Sequence, residues 1–88
     1  MSADKPLRKE SVREELLSDE LMLYDPGTDS VHILNGSAKT IWRMSDGGHT
    51  IGEMEERLRR EFSVGKERDV RGDIEKVITE LSEKGMLE

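Results

Sequence analysis

Residues 20–34 read ELMLYDPGTDSVHIL. Two apolar runs of strand length stand at the ends of this stretch, and residues 25–30, DPGTDS, separate them. In such a segment proline presets φ for a turn, glycine tolerates positive φ, and the Asp and Ser side chains bond to the local backbone. The stretch therefore predicts a β-hairpin, and residues 12–17 are a candidate for a third strand beside it.

Two amphipathic helices are predicted directly after the hairpin. Asn35 is the expected N-cap of the first helix, since its side-chain oxygen can accept from the amides of the first turn. Residues 45–49, SDGGH, end that helix. Thr50 and Glu53 have the spacing of a capping box, in which each side chain satisfies the other residue's amide. The second helix is expected to begin there.

A third helix is predicted to start near residues 66–69 and to run to about Lys84. Gly85 is placed for the left-handed residue that commonly follows a helix. Apolar residues recur at helical spacing in all three segments. The expected buried faces are Ala38, Ile41, Trp42 and Met44 in the first helix, Ile51, Met54, Leu58 and Phe62 in the second, and Val70, Ile74, Val77, Ile78 and Leu81 in the third.

The composition is that of a small, highly charged globular domain. The chain has 88 residues, of which 33% are hydrophobic and 39% charged. We expect one domain at residues 11–88, preceded by a flexible arm at residues 1–10. The chain has no cysteine, which excludes disulfides and thiolate zinc sites and suits a reducing, cytoplasmic location. No apolar run approaches the roughly 20 residues that cross a bilayer, and the N-terminus has no apolar core of a signal peptide.

The net charge of −6 argues against a nucleic-acid partner, because such binding depends on cations that displace counterions from phosphates. The only tight basic cluster is Arg57, Arg59 and Arg60. Each of these arginines follows a glutamate by four residues, a spacing typical of a self-neutralised, solvated helix face.

No catalytic constellation is recognisable in the sequence. His32 and His49 fall in different predicted contexts, a strand and a glycine-rich turn, and no helical pair has the spacing of metal ligands. Asp69 and Asp73 lie one helical turn apart, but both have arginine neighbours, so a solvated surface explains them better than an acid–base pair. The chain is predicted to be a non-enzyme without metal or cofactor.

Several short motifs follow one another along residues 12–87. They are Leu23-Tyr24-Asp25-Pro26 and Val31-His32-Ile33-Leu34-Asn35 in the hairpin, Ala38, Ile41, Trp42, Asp46 and Gly47 around the first helix, Thr50, Ile51, Glu53 and Leu58 in the second, and Asp69, Val70, Asp73, Ile74, Leu81, Gly85, Met86 and Leu87 in the last helix and its end. This ordered set resembles the PqqD-like family, named after pyrroloquinoline quinone biosynthesis protein D.

The resemblance implies a winged-helix-like α+β fold, in which a three-stranded antiparallel sheet is followed by three helices. Members of the family are recognition elements for ribosomally made, post-translationally modified peptides (RiPPs) and act as peptide chaperones. They bind the leader of a precursor peptide and deliver it to a maturase, often a radical SAM enzyme. The leader adds a strand to the third sheet strand and rests in a groove against the third helix. Because this chain has no enzyme domain, its maturase is expected to be a separate protein.

The expected peptide-binding residues lie on the third strand and the third helix. An edge strand offers unpaired amides and carbonyls to an extended peptide, while a very short edge limits aggregation. His32 stands where an aromatic residue such as tyrosine is common in the family, which implies a different specificity. Strands alternate faces, so about half of the strand residues are expected to be core. The expected set is Val31, His32, Ile33, Leu34, Val70, Arg71, Asp73, Ile74 and Val77, with Arg71 and Asp73 at the rim.

Two other interpretations remain open from the residues alone. A winged-helix DNA-binding module fits the order of elements but is opposed by the acidic charge. A generic protein-interaction or oligomerisation domain would bury the edge at residues 31–34 in a homodimer. The peptide-binding interpretation instead predicts a monomer or a weak dimer.

Overall fold

A three-stranded sheet precedes three helices in the computed structural model, which describes residues 5–63, 65 and 67–88. The strands pair antiparallel in the order β1-β2-β3. The predicted α+β architecture, with its third strand, is confirmed. The elements are β1 (Arg13–Leu17), β2 (Glu20–Asp25), β3 (Ser30–Leu34), α1 (Ser37–Met44), α2 (Ile51–Glu61) and α3 (Val70–Glu83).

The turn between β2 and β3 is organised by the buried carboxylate of Asp25. The amide of Gly27 donates to Asp25 Oδ1 at 3.0 Å, and the hydroxyl of Thr28 donates to Asp25 Oδ2 at 3.3 Å. These bonds replace the backbone pairing that the chain loses where it reverses. They also fix the register, in which Tyr24 lies opposite Val31.

The two faces of the sheet differ in burial. Leu21, Leu23 and Leu34 face the helices and are buried. Val31 and Ile33 point to the opposite face, where they are 48% and 42% exposed. Because neighbours along a strand alternate between faces, the apolar run of β3 is divided between the core and the surface.

The core consists of two clusters that share one residue of α3. Val77 is half-buried and packs against both clusters. The first cluster joins the sheet to the helices and the second joins the helices to one another. Their buried members are Val12, Leu21, Leu23, Leu34, Trp42, Leu81 and Met86 in the first, and Ile41, Met44, Met54, Leu58, Val70 and Ile74 in the second.

The start of α1 corrects one prediction. The N-cap is Gly36, not Asn35, and no side chain caps the helix. Gly36 has φ +53° and ψ −130°, a conformation that glycine adopts without steric cost, so the chain enters the helix one residue later than expected. The α3 helix begins at Val70, after Asp69 as its N-cap, close to its predicted start.

The predicted capping box at the start of α2 and the predicted glycine after the end of α3 are confirmed. Thr50 Oγ1 accepts from the amide of Glu53 at 3.1 Å, and the amide of Thr50 donates to Glu53 Oε1 at 2.8 Å. After α3, Gly85 has φ +73°. The amide of Met86 then donates to the carbonyl of Leu81 at 2.9 Å, and the side chains of both residues are buried in the first cluster. This is the Schellman arrangement, which satisfies carbonyls at the helix end.

The segment at residues 5–10, which belongs to the expected N-terminal arm, is hydrogen-bonded to the domain. It lies between the residues that follow α1 and the last residues of the chain, and Pro6 is buried. Residues 1–4 lie outside the described residues. Four backbone bonds hold the segment: Gly47 N to Pro6 O (2.9 Å), Glu88 N to Leu7 O (2.7 Å), Arg8 N to Ser45 O (2.8 Å) and Lys9 N to Met86 O (3.0 Å).

Candidate functional site

The β3 strand is an edge of the sheet. Its inner side pairs with β2, and no strand in the described part of the chain pairs with its outer side. β1 forms the other edge, and its five residues are all exposed. An edge strand presents a row of backbone donors and acceptors to any extended segment that reaches it.

The hydrogen bond of one lysine reveals which backbone groups of β3 point outward. Lys84, directly after α3, donates through Nζ to the carbonyl of Val31 at 3.4 Å. In an antiparallel strand the amide and carbonyl of one residue point to the same side, and this side alternates along the strand. Val31 and Ile33 therefore direct their amides and carbonyls away from β2, while His32 directs its own toward β2.

The second half of α3 borders the outer edge of β3. Glu80 Oε2 lies 3.9 Å from His32 Nε2, and Val77, one turn earlier, contributes apolar surface. Together with Lys84, these side chains form the α3 side of the surface between the helix and the strand edge, and this surface is called the groove below. The groove thus combines backbone hydrogen-bonding groups with an apolar and charged helix face.

His32 lies in this groove with only 17% of its side chain exposed. Burial, and after it the positive charge of Lys84, lowers the pKa of His32 below its usual 6.5, while Glu80 acts in the opposite direction. The imidazole is accordingly neutral at pH 7 and can donate one hydrogen bond and accept another.

A cavity of about 310 Å³ opens beyond the end of β3. Its floor is apolar, and Phe62 at the end of α2 is 44% exposed beside it. The ion pair between Arg68 Nε and Asp73 Oδ2, at 2.8 Å, lies at its margin. The lining residues are Gly36, Ser37, Leu58, Phe62, Arg68, Val70 and Asp73.

The structure distributes the predicted site residues over four environments, and Val70 belongs to two of them. Val31, His32, Ile33 and Val77 lie at the edge and the groove. Val70 and Asp73 line the cavity, and Arg71 turns to Glu55 of α2, with Nε 3.3 Å from Oε1. The side chains buried in the core are Leu34, Val70 and Ile74.

Several residues at this surface were not among the predicted site residues. Glu80 and Lys84 follow Val77 by three and seven residues, so they share its helix face. Extending the helical periodicity past the apolar stripe would have found them. Phe62 and Gly36 come from different elements that meet only in the folded chain, and no local pattern indicates that they share a cavity.

Arg59, one member of the basic cluster of α2, stabilises the domain. Arg59 pairs with Glu55 Oε2 at 3.1 Å. It also donates to the carbonyls of Gly65 at 2.9 Å and Arg68 at 3.0 Å. These bonds tie the connection between α2 and α3 to the helix surface, so this guanidinium is engaged within the domain.

The described residues offer neither a metal site nor a membrane span. Among them, no three His, Asp or Glu side chains gather closely enough to hold a metal ion. None of the helices described here has the length and apolarity needed to cross a membrane.

Comparisons with known proteins agree with this architecture. Two solved structures are similar, and at 23% identity the likeness concerns the fold. TbiB1 in complex with the TbiA(beta) leader peptide has a TM-score of 0.80, covering 93% of this chain and 94% of that chain. Lasso peptide synthetase B1 complexed with the leader peptide has a TM-score of 0.81, covering 96% and 98%.

Comparison of the sequence with protein families identifies one family. No curated protein matches the chain. Residues 20–87, which include β2, β3 and all three helices, match the family described as coenzyme PQQ synthesis protein D (PqqD). The chain belongs to the PqqD family.

Proposed function

We propose that the domain is a non-catalytic peptide chaperone for a ribosomally made precursor. It binds the leader segment of the precursor as a fourth strand on β3 and presents the peptide to a separate modifying enzyme. The radical SAM class is the first candidate for that enzyme, because it commonly serves relatives of this family. The proposed location is the cytoplasm, where both the precursor and such an enzyme are made.

The single observation that carries this proposal is the open outer edge of β3 beside α3. The side chains of Glu80 and Lys84 reach this edge, so a peptide gains both backbone bonds and side-chain contacts there. The β1 edge carries Arg13, Glu14 and Glu15, and the carboxylate of Glu14 is already engaged by the indole of Trp42 in α1. Charges on an edge discourage strand pairing. The leader is therefore assigned to β3.

Backbone pairing alone gives too little free energy for this task. Val31 and Ile33 each offer one amide and one carbonyl. Four hydrogen bonds at roughly 1 kcal/mol each contribute about 4 kcal/mol. A Kd of about 1 μM requires about 8 kcal/mol. Apolar side chains of the leader must supply the difference, at about 1.5–3 kcal/mol for each one fully buried.

The complexes formed by the two similar structures also support this role. Each of those proteins is recorded with a leader peptide. The role we propose requires a binding surface but no reacting groups. His32, the one histidine in the groove, has Glu80 and Lys84 as its charged neighbours, and we assign it to binding.

The test is a titration of the ¹⁵N-labelled domain with the synthetic leader of the precursor encoded beside its gene. We expect amide shifts at residues 30–36 and along α3 from Asp73 to Lys84, with a Kd of micromolar or below. A scrambled leader of the same composition is the control. The amides of β1 report on the opposite edge and should stay within the shifts that the scrambled peptide causes.

Two results would count against the proposal. One is the absence of binding to the leader of any neighbouring precursor at about 100 μM. The other is a set of shifts centred on β1, which would place the peptide at the wrong edge.

A further inference from the structure

The side chain of Lys84 already contacts one of the backbone groups assigned to the leader. Its Nζ donates to the carbonyl of Val31 at 3.4 Å, and this carbonyl points away from β2. The outward groups of β3 are the amides and carbonyls of Val31 and Ile33. A leader strand on this edge brings its own amide to the Val31 carbonyl. The lysine and the leader therefore address the same acceptor.

The backbone of Lys84 is held at the end of α3, whereas its side chain is exposed. Lys84 is the C-cap residue, and its amide donates to the carbonyl of Glu80 at 3.1 Å. The following Gly85 has φ +73°, and Met86 is buried in the first cluster. The ammonium lies at the end of a flexible four-carbon stem. It can therefore leave Val31 without any change in the backbone of the domain.

Glu80 offers the ammonium a second partner on the same helix. It precedes Lys84 by four residues, and a glutamate four residues before a lysine is the favoured orientation of a helical ion pair. The Glu80 side chain is 52% exposed and lies 3.9 Å from His32. A cation at the C-terminal end of a helix is also stabilised by the helix dipole. An ammonium that leaves Val31 therefore has a negative partner one turn away.

The outward groups of β3 are complementary to those of a second copy of the chain. A two-fold axis beside His32 places Val31 of one copy opposite Ile33 of the other, so every outward amide and carbonyl of the two strands finds a partner. Such edge-to-edge pairing is a hazard that native proteins commonly oppose with lysine. In this domain the ammonium of Lys84 puts a positive charge of each copy into that interface.

We propose that Lys84 protects the β3 edge of the free domain and exchanges the carbonyl of Val31 for the carboxylate of Glu80 when the leader binds. The proposal rests on the proposed function and adds regulation to it. In the free domain the ammonium occupies one outward carbonyl. A leader displaces one ammonium, whereas two copies that pair through β3 must displace two. The contact therefore opposes self-association more strongly than it opposes leader binding.

The experiment compares three lysine variants of the full chain. Lys84→Met removes the ammonium and keeps an unbranched apolar stem, and Lys84→Arg keeps both the charge and a donor. Lys76→Met is the matched control, since Lys76 is an exposed lysine of the same helix and its loss changes the net charge equally. The Kd for the synthetic leader is measured by fluorescence anisotropy. Self-association without leader is measured by sedimentation equilibrium over a range of protein concentrations, and urea unfolding verifies that each variant remains folded.

We expect Lys84→Met to bind the leader about 2- to 5-fold more tightly than the wild type, because the leader no longer displaces an exposed charged contact. The same variant should form dimers at concentrations where the wild type is monomeric. Saturating leader should return these dimers to monomers, since it occupies the edge through which they pair. Lys84→Arg and Lys76→Met should match the wild type in both assays.

Three outcomes would overturn the protecting contact. Weaker leader binding by Lys84→Met than by Lys76→Met would show that Lys84 holds the bound leader instead, and the proposed function would stand. A Kd or a molecular mass of Lys84→Met equal to that of Lys76→Met would exclude the contact and also leave the proposed function standing. If the wild-type domain binds no leader, the proposed function fails and the exchange at Val31 fails with it.

Discussion

Proline substitution at two adjacent positions of β3 separates the proposed outer edge from the inner one. Ile33→Pro removes an amide that points away from β2, so the sheet loses no ladder bond. Proline is tolerated at edge positions of this kind. His32→Pro removes an amide that points to β2 and should destabilise the domain by about 1–3 kcal/mol, the cost of a buried group left without its partner.

The magnitude for the leader follows from the same geometry. In the Ile33→Pro domain, one carbonyl of the bound leader has no donor, which costs about 1–3 kcal/mol. At about 1.4 kcal/mol per tenfold change, this corresponds to a Kd roughly 5- to 140-fold weaker. Ile33→Ala shortens the side chain but keeps the amide, so it separates the backbone effect from the side-chain effect.

The assay is fluorescence anisotropy with a labelled leader peptide, paired with urea unfolding of each variant. We expect Ile33→Pro to unfold near the wild-type midpoint and to bind weakly, and His32→Pro to unfold at clearly lower urea. Binding of the leader by Ile33→Pro at the wild-type Kd would refute the assignment of the outer edge. The assignment would also be refuted if Ile33→Pro lowered the urea midpoint and His32→Pro left it near the wild-type value.

Substitutions at three further positions test the packing and electrostatics of the domain. Because folding lowers the pKa of His32, the unfolded chain takes up the proton first as the pH falls, and the free energy of unfolding should drop below about pH 6.5. Urea unfolding at several pH values should show a shallower drop for His32→Asn than for the wild type. Glu14 Oε2 accepts a hydrogen bond from the indole of buried Trp42 at 2.8 Å. By the same urea assay, Glu14→Ala should lower the unfolding free energy by about 1–3 kcal/mol, and Glu14→Gln, which keeps an acceptor, should lower it less. Equal losses in the two variants would contradict this role of Glu14. Thr50→Ala should lower the unfolding free energy by about 1 kcal/mol, with Thr50→Ser near wild type, and a neutral Thr50→Ala would show that the capping box adds nothing.

The elements were predictable because their signals are local. The turn chemistry of residues 25–30, the capping box at Thr50 and the left-handed Gly85 each act within a few residues. Asn35 failed as a cap because two plausible cap residues stand side by side. The choice between it and Gly36 depends on the direction in which the chain must leave β3, which the tertiary structure sets.

The candidate site was predictable only in outline. The apolar stripe of α3 was evident, but periodicity does not say which stripe residues the domain itself covers. Val70 and Ile74 are needed between the helices, while Val77 remains half-buried beside β3. The contacts of residues 5–10 were not evident from the sequence, because a segment bound through its backbone needs no hydrophobic period.

The strip formed by residues 5–10 also brings the two ends of the domain together. The amide of Lys9 bonds to the carbonyl of Met86, and Arg8 pairs with Leu87. A polypeptide linked to either side of the domain would therefore depart from the same small patch. An enzyme fused to the N-terminal side of the domain and one fused to its C-terminal side would therefore hold the domain in nearly the same position.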